Sequence, residues 1–201
     1  MDKKYIIIGV VVAIIAVVAV AAISISMMGE DTEEYYSNIK KAASHSESMT
    51  VLQNEAYASL DTAIDQSTLT KSEKLFKDMS NETLKEKEYL EAALESTDNE
   101  TKKEYVESLL KINSLYKKIA EDDLKAAGIF KQYLDGSVGY STLEKESSEI
   151  DASILKAETD ITLEIDKIND ILKKNPDLEK ELGSLKNIDQ YRGYYPEPLY
   201  Y

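Results

Sequence analysis

The chain has no cysteine and no tryptophan, and its 201 residues include three prolines, seven glycines, one histidine and a single arginine, Arg192. The missing cysteines exclude disulfides, thiolate zinc sites, covalent haem attachment and a lipid anchor on cysteine. They leave the redox compartment open, because an exported helical protein folds without disulfides. One arginine makes bidentate grips on carboxylate or phosphate scarce. So few helix breakers favour long helices over many short strands.

Positive charge is also short. Lys and Arg number 24 against 38 Asp and Glu, a net charge of −14. Asp2, Lys3 and Lys4 together carry +1, so the chain beyond residue 29 carries −15. Such a chain repels phosphate backbones, and nucleic acid is not an expected partner. Solubility is the plain role of the acidity.

The one long hydrophobic run lies at the start. Ile6 to Ile23 is uninterrupted by any polar residue, and the segment extends through two serines to Met28. As a helix, Ile6–Met28 spans about 35 Å, enough to cross a bilayer core of about 30 Å. Lys3 and Lys4 precede it, whereas Glu30, Asp31, Glu33 and Glu34 follow. The lysines favour the cytoplasmic side, which sends the rest of the chain out. The expected organisation is a cytoplasmic stub 1–4, a transmembrane signal-anchor helix 5–28, an extracytoplasmic helical bundle 29–183 and a Tyr/Pro-rich tail 184–201. The competing reading is a cleaved signal peptide, since Ala19-Val20-Ala21 and Ser24-Ile25-Ser26 both have the small-x-small pattern. The run exceeds the usual apolar stretch of about 7–15 residues in such peptides, which favours the anchor. Either way the bulk of the chain is placed outside the cytoplasm.

Beyond about residue 33, apolar residues recur every three or four positions. The clearest stripe is Ile150, Ile154, Ala157, Ile161, Ile165, Ile168 and Leu172. A second runs through Tyr105, Leu109, Ile112, Tyr116, Ile119, Ala126, Phe130 and Tyr133, with Asp123 as its polar interruption. Ile39, Ala42, Met49, Ala56, Leu60 and Ala63 mark a first helix, and Phe76, Met79, Leu90 and Leu94 a weaker second. Thr70-Lys-Ser-Glu73, Thr97-Asp-Asn-Glu100 and Ser141-Thr-Leu-Glu144 match capping boxes, Asp135-Gly136 is a stop, and Asn175-Pro176 ends one helix and starts another. The predicted helices are about 33–66, 71–95, 99–134, 142–174 and 177–182. Short connections make neighbours antiparallel. The expected fold is therefore all-α: the transmembrane helix, then an antiparallel four-helix bundle or coiled-coil-like rod, then a short fifth helix.

Catalytic parts are scarce. A di-metal carboxylate site in a bundle wants two Glu-x-x-His motifs, and this chain has only His45, in Ser-His-Ser-Glu. Ser-His-Asp and Cys-His sites fail for the same shortage. Gly136-Ser-Val-Gly139 is too short for a phosphate loop, and Glu121-Asp122-Asp123 lacks EF-hand spacing. No catalysis, cofactor or metal is expected. His45 is expected on a helix surface, and Asp123 at the bundle edge, reaching water. The stripe tyrosines are expected in the core with their hydroxyls at the rim. Asn81-Glu-Thr83 and Asn99-Glu-Thr101 are glycosylation sequons that export would make usable.

The chain closes with YRGYYPEPLYY. Four helices return the chain to the end where it entered, so Tyr191, Tyr194, Tyr195, Tyr200 and Tyr201 would emerge beside the headgroups, where tyrosine is favoured. A recognition tail stiffened by Pro196 and Pro198, or plain disorder, are the rival readings. The function read from all this is a membrane-anchored extracytoplasmic helical protein, single-pass with its N-terminus in, with a structural, adhesive or partner-binding role or self-association through its helices. The alternative is an exported module holding a small molecule between helices.

Overall fold

The computed structural model describes residues 30–183, with side chains from residue 33. All regular structure among these residues is helical: α1 (Glu30–Thr62), α2 (Gln66–Glu95), α3 (Glu100–Leu134), α4 (Tyr140–Lys174) and α5 (Pro176–Leu182). The expected transmembrane helix 5–28 and the tail tyrosines Tyr191, Tyr194, Tyr195, Tyr200 and Tyr201 lie outside the described residues. Among the described residues no helix is long and apolar enough to cross a membrane.

Local chemistry sets the helix ends. Asp65 accepts from the backbone N–H of Ser67 at 2.8 Å and of Thr68 at 2.9 Å, while Thr68 Oγ1 accepts from the Asp65 N–H. That reciprocal capping box starts α2 five residues earlier than expected and cuts α1 short at Thr62. Thr70 is inside α2, where its hydroxyl donates back to the Gln66 carbonyl. Asn99, rather than Thr97, caps α3 by accepting from the Lys102 N–H. The Ser141 box is not used: α4 opens at Tyr140 behind Gly139 with no side-chain cap. The Asp135-Gly136 stop stands where the sequence placed it. Gly136 has φ 81°, Ser137 N–H reaches the Gln132 carbonyl, and Gly136 N–H reaches that of Tyr133. This is the Schellman pairing, and its left-handed residue suits glycine.

Successive helices pack antiparallel, α1 on α2, α2 on α3 and α3 on α4, and α5, following α4 after the break at Asn175, reaches Tyr36 of α1 and Lys102 of α3. One apolar core runs through them, from Tyr35, Ile39 and Leu182 at one pole to Tyr57, Phe76, Ala120 and Ile154 further along. Leu178 and Leu182 of α5 close the first pole, the base. The turns at 63–65 and 135–139 lie at the opposite, distal pole. There Leu69, Ala127, Ile129 and Leu143 are buried apart from the main core. Of the expected stripe tyrosines, Tyr105 and Tyr116 are buried. Tyr133 is 37% exposed and packs edge-on to Tyr140.

Candidate functional site

Polar side chains interrupt this core at three levels. At the base, Lys102 Nζ lies 5.2 Å from the ring centre of Tyr35 and 4.8 Å from that of Tyr36, and 3.2 Å from the Glu181 carboxylate. Tyr36 Oη donates to Glu181, and Tyr35 Oη to the Lys102 carbonyl. The cluster therefore ties the start of α1 to the start of α3 and to α5. Burial raises both phenols, helped by Glu181.

At the middle level Glu86 of α2 is buried between α1 and α3. Ser46 Oγ donates to one carboxylate oxygen and Asn113 Nδ2 to the other at 2.6 Å. Asn113 also donates to the Thr83 carbonyl at 2.9 Å. Burial wins over these hydrogen bonds and pushes Glu86 up to about 7. One turn away, His45 Nδ1 is 2.6 Å from Glu82 and its ring stacks on Tyr89. The expected free surface histidine is thus a half-buried cross-link between α1 and α2.

The distal level is the most unusual. Adjacent aspartates of α3 meet opposite fates. Asp122 accepts from Lys118 at 2.7 Å, Lys125 at 2.8 Å and Ser153 at 2.6 Å. Burial works to raise it, but these donors prevail and hold it down at about 2. Asp123 is 3% exposed, which corrects the expectation of a bundle-edge residue reaching water. The helix period carries it inward with Ala120 and Ala127, near Tyr57 of α1 and Asp151 and Glu158 of α4. Its hydrogen bond comes from Tyr57 Oη of α1 at 2.8 Å. Desolvation, with added repulsion from Asp122, Glu158 and Asp151, pushes Asp123 up to about 8.

Glu158 of α4 is 7% exposed, neither of its oxygens has a hydrogen-bond partner, and burial pushes it up to about 7. Gln53 of α1 donates to Tyr57 Oη, yet its own Oε1 is buried without a donor. Among the described residues no lysine or arginine pairs with Asp123, Asp151 or Glu158.

Beside this cluster, toward the distal turns, lies a half-open cavity of about 50 Å3. Leu60, Ile64, Leu69, Phe76, Ala126 and Phe130 give it apolar walls. Tyr57, Asp123, Ser147 and Asp151 give it polar atoms. Ser147 is 8% exposed, and its buried hydroxyl has no partner. Among the described residues no group of three or more acidic or histidine side chains is arranged to hold a metal ion.

The sequons sit on the surface. Asn81 is exposed in mid-α2, but Thr83 of its motif is buried with its hydroxyl turned to the Ser80 carbonyl. Asn99 is exposed at the start of α3. Sequence reasoning flagged Asp123 and missed Glu86 and Glu158. Both lie in phase with their stripes, Glu158 four residues after Ile154 and three before Ile161, and Glu86 seven after Met79 and four before Leu90. An acid on an apolar stripe was the available signal.

Comparison with protein-family models, with curated proteins and with solved structures finds no match to this chain.

Proposed function

We propose that this protein is a single-pass membrane-anchored helical bundle held outside the cytoplasm, with a structural, adhesive or partner-binding role and no catalytic one. The observation that carries the reading is the uninterrupted apolar run from Ile6 to Ile23, flanked by Lys3 and Lys4 before it and by acidic residues after Met28. The bundle supports it by its layout. Tyr36 near the start of α1 bonds Glu181 of α5, so the chain enters and leaves the described fold at one pole. A tail leaving from that pole starts beside the point where an anchor would meet the bilayer, as the interfacial reading of Tyr191, Tyr194, Tyr195, Tyr200 and Tyr201 requires. The distal cavity, at about 50 Å3, is too small for a metabolite, and the cleft of about 330 Å3 at the base, lined by Asn99, Lys102, Lys174, Asn175 and Glu181, is mostly polar rather than an apolar pocket between helices.

The absence of native cysteine makes the test direct. Ala152, exposed on α4, is changed to cysteine in one variant and Asp2 in another. A membrane-impermeant maleimide is expected to label Ala152→Cys on intact cells and Asp2→Cys only after lysis. The intact mass of the detergent-extracted protein is expected to include residues 1–28. A mass beginning near Ala22 or Met27 means a released protein and ends the anchored reading, and labelling of Asp2→Cys on intact cells reverses the orientation.

A further inference from the structure

The distal cavity combines two features that pull in different directions. Its walls are mostly aliphatic and aromatic, which suits hydrocarbon, yet Asp123, Asp151 and Ser147 also line it. A dry apolar cavity would not keep two carboxyls, and a water-filled one would not need six apolar walls. Asp123 has a single donor, Tyr57, and Ser147 Oγ has no partner. Glu158 is another acid nearby, buried and again without a donor. No cation among the described residues compensates these acids, since Lys118 and Lys125 are both committed to Asp122.

We propose that this cavity is a socket for an alkylammonium group, whose methylenes lie against Leu60, Phe76 and Phe130 and whose charged head is received by Asp123, Asp151 and Ser147. An ammonium has three donors and no acceptor, which matches two carboxylates and a hydroxyl that lacks a partner. A cavity needs about 10–15 Å3 to hold one water-sized group, so about 50 Å3 takes roughly three to five heavy atoms, an ammonium and two to four carbons, with any longer stem leaving by the open side. A small divalent cation fits less well, because the donors are too few and most of the lining is hydrocarbon. The same chemistry is offered by a free small amine and by a lysine side chain of a protein partner.

The socket does not depend on the membrane reading, and its test is separate. Thermal unfolding of the full chain in detergent is followed at about pH 8 with propylammonium chloride, tetramethylammonium chloride or propan-1-ol at equal ionic strength. Propylammonium alone is expected to raise Tm, by about 2–4 °C near saturation. Asp123→Asn, which keeps an acceptor for Tyr57, is expected to remain folded and to weaken that binding about tenfold or more. No shift with propylammonium overturns the proposal. An equal shift with propan-1-ol means an apolar hole without a cation site, an equal shift with tetramethylammonium means unspecific charge screening, and either result overturns it too. Nα-acetyl-lysine methyl ester then identifies the source: a shift matching that of propylammonium points to a partner's lysine, and a shift with propylammonium only to a free amine.

Discussion

Glu86, Asp123 and Glu158 are carboxyls in places that favour the protonated form, at about 7, about 8 and about 7. In an unfolded chain they would titrate near 4. Between those limits the folded chain holds more protons than the unfolded one, so stability falls as pH rises from about 4 through 8. Asp122 acts in the opposite sense. Its folded value of about 2 lies below the unfolded one, so its contribution is present above about pH 4 and is lost as pH falls toward 2. For these groups the two trends together place the stability maximum at about pH 4. A urea midpoint higher at about pH 5 than at about pH 8.5 is the expected result. Combining Glu86→Gln, Asp123→Asn and Glu158→Gln should flatten the difference, and an unchanged slope in that variant would show that other groups set the pH response.

At the scale of the helix, ends and faces make different predictions. Asn99→Ala removes the acceptor for the Lys102 N–H and should cost about 1 kcal/mol, whereas Asn99→Asp keeps it and should cost little. Phe76→Ala empties a fully buried site and should cost about 3–5 kcal/mol, against a change within about 0.5 kcal/mol for Leu155→Ala, which is 60% exposed. Urea denaturation of the four variants checks both contrasts. The faces were legible in the sequence because burial follows the helix period: Ile154, Ala157, Ile161, Ile165 and Ile168 are all buried as their spacing predicts. The ends were less so. Thr70-Lys-Ser-Glu73 and Asp65-Gln-Ser-Thr68 are comparable local signals, and the second prevails in the fold because the first lies within a turn that packs as helix. The distal cluster was legible only through Asp123. Its partners Tyr57 and Glu158 come from helices far apart in sequence, and a stripe records depth within one helix, not neighbours across the bundle.

At the scale of the whole fold, four long helices and a short fifth among the described residues return the chain to the base. If the tail tyrosines rest on the bilayer there, deleting residues 191–201 should leave the bundle's Tm unchanged and reduce association of the protein's outer portion with lipid vesicles. Co-flotation of residues 30–201 and 30–190 with vesicles reads this directly, and equal flotation of the two sinks the interfacial reading. The net charge of −14 works against adhesion to anionic lipid, so the vesicles should include neutral headgroups.

The shared pole also fixes how the protein answers tension. A pull between an anchor at the start of α1 and a grip on the tail is applied across the base alone, so it first meets the Lys102, Tyr36 and Glu181 clasp. Once that latch parts, the helices peel apart one contact layer after another, a low-force route. A pull between the anchor and a partner gripping the turn at 135–139 runs along the helix axes instead and must slide whole interfaces past each other at once. The bundle is thus weak as a bridge between its own two termini and strong as a post that holds something at its far end.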